Sequence, residues 1–293
     1  MNATAAVLSK LAPGVDSFDA LGAHSAEDFF ADPPRIQTAE RARREASAVL
    51  LPLPGTPDES GRQFERPRGS GTGWLRLERY PAGGLEGLRA RCTHPRSSSR
   101  AARTWNLICH LQAHGIAAPQ LVGFAERGSS PFGAESWLLT RELEEFEPFA
   151  RWLADERDDS RRRRGLDSLA LSVSQLFRCG AWLPRTTLAG LRIHSHGEDC
   201  AALAIENLRR ERSLLSERGL VRSRRPAVAF TEFERGRVLA RISPRRRDEW
   251  LAALAREAKD VTTVRERERF AARIVGNSTE RRALAARCGG VPS

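Results

Sequence analysis

Lysine is almost missing from this chain. Of its 48 lysine and arginine residues only Lys10 and Lys259 are lysines, so 46 are arginines. Any chemistry that needs a lysine ammonium between those two positions is excluded. The five cysteines (Cys92, Cys109, Cys179, Cys200, Cys288) are scattered, odd in number and never spaced C-x-x-C. That spacing argues against a disulfide framework or a structural zinc motif and for free thiols in a reducing compartment. No window approaches the ~18 consecutive apolar residues of a membrane span. The apolar patch Ala5–Leu8 is followed too soon by Lys10 and Asp16 for a signal-peptide core, so a cytoplasmic location is expected.

What is present describes a globular protein. The chain has 293 residues, 40% hydrophobic and 29% charged, enough for one large domain or two lobes with their own cores. A net charge of +11 suits nucleic acid, phosphorylated sugars or anionic lipid headgroups as partners. The 37 acidic residues, however, interleave with the arginines, as in Arg265–Arg269, and gather in runs such as Glu142–Glu147 directly after Arg141. Interleaving favours arginine on ordinary solvated faces and makes nucleic acid the weaker reading.

Periodicity divides the chain. Residues 1–40 have few periodic apolar positions and read as a loosely attached leader. Ala46–Leu53 suits a strand, and residues 54–73, ending Gly69-Ser70-Gly71-Thr72-Gly73, suit a long loop. Trp74–Tyr80 alternates as a half-buried strand does. Ser97-Ser98-Ser99 offers N-cap hydroxyls to a helix carrying Ala101, Trp105, Ile108 and Leu111, with Gly115 at its end. Leu121–Ala125 and Ser136–Thr140 form a hairpin pattern.

From residue 147 the pattern turns helical. Pro148 opens one helix, and Leu166, Leu169, Ala170, Val173, Leu176 and Phe177 define a long one stopped by Gly180. Leu188–Ile193 and Ala201–Ile205 suggest a second hairpin. Helices follow at 206–218, at 244–260 with Ser243 as cap, and at 262–275 with Val264, Phe270 and Ile274 inward. The order predicts an α+β protein with two lobes.

Leu75-Arg76-Leu77-Glu78-Arg79-Tyr80, Ser99-Arg100-Ala101-Ala102-Arg103-Thr104-Trp105, Gly115-Ile116-Ala117-Ala118-Pro119, Gly123-Phe124-Ala125-Glu126-Arg127 and Trp137-Leu138-Leu139-Thr140-Arg141-Glu142-Leu143 run in one order. Together they resemble the bacterial lipopolysaccharide core kinases, which phosphorylate heptose or Kdo. The resemblance covers about a third of the chain. It implies a protein-kinase-like fold with a leader at 1–40, a small sheet-rich N-lobe at 41–143 and a larger helical C-lobe at 144–293. It also implies ATP and Mg²⁺ as cofactors, a nucleotide or phosphorylated sugar-lipid ligand, and a cytoplasmic protein that can lie against the anionic inner-membrane surface.

A kinase of this fold needs a strand lysine on the nucleotide phosphates held by a helix glutamate, a catalytic aspartate, and an aspartate for Mg²⁺. In the register of the resemblance the lysine position is Glu78 and the helix glutamate position is Thr104. The His-Arg-Asp loop falls on Leu183-Pro184-Arg185. The metal carboxylate falls on Glu206, beside Asn207, and these two residues are the candidate metal ligands. Glu78 repels phosphate where lysine attracts it, Thr104 forms no ion pair, and Arg185 is a permanent cation that cannot act as a base. Arg76, on the same strand face as Glu78, is the candidate phosphate contact, and Glu142 is the candidate hinge residue of the nucleotide cleft. The expectation is a pseudokinase that binds or regulates. The alternatives are an active lipopolysaccharide-sugar kinase with rearranged residues and a basic nucleic-acid-associated protein.

Three further patterns have weaker claims. His194-x-His196 with Glu198, Asp199 and Cys200 has metal-ligating residue types but reads better as a polar turn. Gly69–Gly73 imitates a phosphate-covering loop but reads better as an insertion. Arg161–Arg164 lacks interleaved aromatics for base stacking and reads as a solvated loop between helices.

Overall fold

Alternation along Trp74–Tyr80 builds the first layer. Leu75 and Leu77 are buried on one sheet face, while Trp74, Arg76, Glu78 and Tyr80 take the other. The computed structural model describes residues 7–13, 15–32, 34–35, 43–44, 48–52, 74–81, 99–128, 135–143, 146–194 and 227–274. They fall into two units, Met1–Asn106 with Pro119–Glu144, and Leu107–Ala118 with Glu145–Ser293.

The first unit is an antiparallel sheet of β1 (Val7–Leu11), β2 (Arg43–Arg44), β3 (Val49–Pro52), β4 (Trp74–Tyr80), β5 (Leu121–Arg127) and β6 (Glu135–Arg141). Its order is β1-β5-β6-β4-β3-β2, with Leu77 opposite Leu139 and Glu78 opposite Leu138. Residues 7–13 and 15–32, within the 1–40 stretch expected as a loose leader, pack into this unit. Val7–Leu11 pairs with β5, and Leu21, Phe29 and Phe30 pack with Leu51, Leu75, Leu77, Trp137 and Leu139. Phe29 lies 4.9 Å from the Trp137 ring, whose Nε1 donates to Ala26 O at 3.1 Å. The segment escaped the periodicity reading because short 3₁₀ turns, not a long helix or strand, deliver its aromatics.

The opposite sheet face carries the start of α1 (Arg100–Ala113), where Trp105 packs on Phe124. Ser99 Oγ accepts from Ala102 N at 3.1 Å, the expected cap.

The second unit holds the end of α1 together with α2 (Phe149–Asp155), α3 (Asp159–Arg178), α4 (Pro244–Glu257) and α5 (Val264–Ile274). Leu107, Leu111, Leu169, Val173, Leu176, Trp250 and Leu251 share one core. Gly165 lets α3 approach Trp152, whose ring would lie 2.2 Å from any added Cβ. Val264, expected inward on α5, is exposed, and Ala271 is the buried residue of that helix. Arg161–Arg164 belong to the first turns of α3, not to a loop, because Asp158 caps the helix ahead of them, accepting from Ser160 N at 2.7 Å and Arg161 N at 3.1 Å.

Two small sheets complete this unit. β7 (Glu147–Pro148), β9 (Leu191–His194) and β10 (Ala227–Phe230) form one in the order β10-β9-β7, and β8 (Ala181–Trp182) pairs with β11 (Arg237–Val238). Arg192 and Ile193 of β9 have β10 on one side and β7 on the other, whereas the sequence reading paired this stretch with Ala201–Ile205. That run lies outside the described residues, as do the helix expected at 206–218, Gly69–Gly73, and Glu206 and Asn207.

Candidate functional site

In the first unit the polar face of β4 gathers several of the residues singled out by sequence. Arg76 Nε donates to Glu78 Oε1 at 3.1 Å, and Arg76 Nη1 lies 4.0 Å from Glu142 Oε2. All three side chains are about three-quarters buried, so these charges act through a medium less screening than water. Tyr80 donates its phenol proton to Glu78 Oε2, and the buried Thr104 hydroxyl hydrogen-bonds the same phenol oxygen. The Arg100 guanidinium stacks 4.8 Å from the Tyr80 ring centre. Burial holds the Tyr80 phenol well above its usual range, and the Glu78 charge and hydrogen bond add to that.

The local cause is simple. Positions 76, 78 and 80 share a strand face, and α1 begins beside it, so Arg100 and Thr104, one helical turn apart, meet Tyr80. Sequence reasoning brought Glu78 and Thr104 to one place. It missed Tyr80 as the group joining them, although Tyr80 is the chain's only tyrosine and shares the period-2 face of Glu78.

In the second unit, residues 183–190 connect β8 to β9. Arg185 is exposed in this loop, whose backbone is held from several sides. Trp250 Nε1 donates to Leu183 O at 2.8 Å, and Glu257 Oε2 accepts from Leu188 N at 2.7 Å. Glu232 Oε2 accepts from Thr187 N at 2.8 Å and from Thr187 Oγ1 at 2.9 Å. The Glu232 carboxyl fills the space beside Gly190, where an added Cβ would meet it at 2.3 Å. Glu232 is therefore a carboxylate of the β9–β10 region that sequence reasoning passed over. Its signal was a short apolar run, Ala227–Phe230, followed at once by Thr231-Glu232-Phe233.

The remaining candidates are not gathered. The His194 ring packs 5.5 Å from Phe146, while His196, Glu198, Asp199 and Cys200 lie outside the described residues. Arg162 is tied into the helices, donating to Glu266 at 2.8 Å and to the carbonyls of Leu153 and Val261. Among the described residues no helix is long and apolar enough to cross a membrane.

Comparison with known proteins agrees with this architecture. The solved structure "WaaP in complex with acyl carrier protein" superposes with a TM-score of 0.53 at 18% identity, covering 85% of this chain and 83% of that one. At that identity the likeness speaks for the fold, which is protein-kinase-like and α+β. A search of curated proteins gave no match. The model of the Lipopolysaccharide kinase (Kdo/WaaP) family matches residues 77–182, from the middle of β4 to the end of β8. Over residues 77–182 the chain thus resembles the lipopolysaccharide kinase (Kdo/WaaP) family, and its fold is protein-kinase-like.

Proposed function

We propose that this lipopolysaccharide-kinase-like chain is a pseudokinase, a binding or regulatory module that has lost phosphoryl transfer. The observation that carries the reading is the hydrogen-bonded chain Glu78–Tyr80–Thr104. In a kinase the strand lysine and helix glutamate form an ion pair that cradles the nucleotide phosphates. Here a carboxylate and a hydroxyl take those two positions, and a phenol bridges them. Each replacement hydrogen-bonds the Tyr80 phenol, and neither offers a cation to phosphate.

The second unit supports the same reading. With Arg185 at the catalytic-aspartate position, the H-R-D-x-x-x-x-N spacing puts the metal-binding asparagine on Gly190, which has no side chain to ligate. Glu232-Phe233 follows β10 where the Asp-Phe-Gly motif belongs, and so replaces Glu206 as the metal-carboxylate candidate. Its Oε2 already accepts two hydrogen bonds from Thr187. Kinases use ATP with Mg²⁺. Among the described residues, those at these positions do not fit that pair: no lysine, no base, no asparagine, and a carboxylate whose acceptor capacity is partly taken. An exposed guanidinium at Arg185 suits holding an anionic group such as a sugar phosphate, not deprotonating a hydroxyl.

The rival reading, an active sugar kinase with Arg76 in place of the lysine, is disfavoured by the contacts of Arg76 with Glu78 and Glu142. A nucleic-acid role is disfavoured by ion pairs such as Arg127–Glu135, Arg162–Glu266 and Arg273–Asp167, which spread the arginines among acids. The test is thermal stabilisation by nucleotide with and without Mg²⁺, together with a phosphotransfer assay on lipid A–core sugars. No turnover is expected. Robust turnover that disappears in Glu232→Ala overturns the proposal.

A further inference from the structure

The second unit contains a cluster that the kinase resemblance does not use. His110 and His114 lie four residues apart at the end of α1, so their rings share one helix face and stack with centres 4.3 Å apart. Cys179, the C-cap of α3, closes the group. One nitrogen from each ring and the Cys179 sulfur all lie within 4.8 Å of one another.

Three features prepare these groups for a cation. Each ring bonds a backbone carbonyl through one nitrogen: His110 Nε2 to Cys179 O at 2.8 Å, and His114 Nδ1 to His110 O at 2.8 Å. A ring nitrogen that bonds a carbonyl carries the proton, so the other nitrogen of each ring, His110 Nδ1 and His114 Nε2, keeps its lone pair. Metal-binding histidines are oriented in this manner. The cluster also sits where two helices end, α1 at Ala113 and α3 at Arg178, and the carbonyl ends of helices favour positive charge. Finally, the ends are fixed to each other. Gln175 of α3 donates to His114 O, and both chains turn away through glycines of positive φ, Gly115 at 71° and Gly180 at 75°.

We propose that His110, His114 and Cys179 form a three-ligand Zn²⁺ site whose fourth position is taken by water. Two imidazoles and a thiol match zinc's borderline-soft preference, and three protein ligands with one open position is a common zinc arrangement. Zn–N bonds of about 2.0 Å and Zn–S of about 2.3 Å give tetrahedral ligand spacings near 3.5 Å. The present group, whose ligand atoms lie within 4.8 Å of one another, has to contract by about an ångström to reach that size. Cys179 donates its thiol hydrogen to Leu176 O at 3.3 Å, so binding releases this proton to solvent and leaves the thiolate on zinc. The inference stands on these side chains alone and is independent of whether the kinase-like site binds nucleotide.

The test uses the full chain in reducing buffer, with Co²⁺ as spectroscopic probe and Zn²⁺ measured by competition with a chromophoric chelator. One equivalent of Co²⁺ is expected to give tetrahedral ligand-field bands and a sulfur-to-cobalt charge-transfer band, both displaced by Zn²⁺. Cys179→Ser removes the charge-transfer band. His114→Ala, at an exposed position, leaves the fold intact and weakens Zn²⁺ binding at least tenfold. Cys109→Ser changes neither. Absence of Co²⁺ and Zn²⁺ binding at micromolar metal, or binding indifferent to both Cys179→Ser and His114→Ala, overturns the proposal.

Discussion

Tyr80 gives its phenol proton to the Glu78 carboxylate, and its oxygen takes a hydrogen bond from Thr104 in return. A strand carboxylate and a helix hydroxyl are thereby joined through one ring. The consequences are measurable because Tyr80 is the chain's only tyrosine.

The phenol's folded-state value is raised by burial first and by Glu78 second. A raised value means that the folded state holds its proton more tightly than the unfolded state. The stability so gained is fully present below the ordinary tyrosine value of about 10 and is lost as pH rises through the folded value. Phenolate absorbance is therefore expected to appear only well above pH ~10 in the native protein, and at about 10 once the chain is unfolded. Tyr80→Phe should flatten the decline in thermal stability on that alkaline limb. An ordinary phenolate titration in the native protein refutes the contact.

Glu78→Lys tests the same chain from its other end. The substitution removes the acceptor for Tyr80 and the partner of Arg76, and puts a cation between Arg76 and Arg100. A loss of about 2 kcal/mol is expected in denaturant unfolding. Adding Thr104→Glu supplies the missing anion, so the double variant should recover part of that loss. The recovery is the coupling energy of a double-mutant cycle. A strictly additive double variant shows that positions 78 and 104 do not communicate.

The sheet and the long helices were legible in the sequence because their periods of 2 and 3.6 survive an arginine-rich surface. Leu75 and Leu77 of β4, and Leu169, Val173 and Leu176 of α3, are buried as the pattern requires. The segment 7–32 was not legible, since its aromatics reach the core through 3₁₀ turns with no period to read. Half of the polar site was readable: Glu78 and Thr104 follow from alignment to a family, whereas Tyr80 between them follows only from strand geometry. Glu232 was missed because a strand's partner is set by tertiary pairing, and a nearer apolar run at 201–205 competed for it. The His110, His114 and Cys179 group was invisible to cysteine spacing because its ligands come from the ends of two helices far apart in sequence.

Two glycines separate side-chain from backbone crowding. An added Cβ at Gly190 would meet the Glu232 carboxyl at 2.3 Å, but that side chain can swing away and lose its Thr187 bonds. At Gly180 the Cβ would meet the Leu239 carbonyl oxygen at 2.1 Å, the backbone is at φ +75°, and Leu239 N donates to Gly180 O at 2.8 Å. Nothing there can yield cheaply. Gly190→Ala is expected to cost about 1–2 kcal/mol and Gly180→Ala more than about 2 kcal/mol. Equal costs in urea unfolding contradict this ordering.

Arg162 and Glu266 form a deeply set ion pair in the helical unit, with side chains 15% and 17% exposed. Burial pushes the Glu266 carboxyl up, but the hydrogen bond from Arg162, the Thr263 amide and the Arg162 charge outweigh it, so the net shift is downward. A lowered carboxyl value stabilises the fold above the ordinary value of about 4.5 and ceases to do so as pH falls through the folded value. Glu266→Gln should therefore reduce the acid sensitivity of the thermal midpoint below pH ~4.5 while lowering stability at neutral pH. Arg162→Ala is expected to cost more, about 3 kcal/mol, because it leaves the Glu266 charge unpaired and frees the carbonyls of Leu153 and Val261 together. The two variants differ in what they strand, a cation in one and an anion with two carbonyls in the other. Equal losses at neutral pH would mean that the carbonyl contacts contribute nothing, and that the pair acts by charge alone.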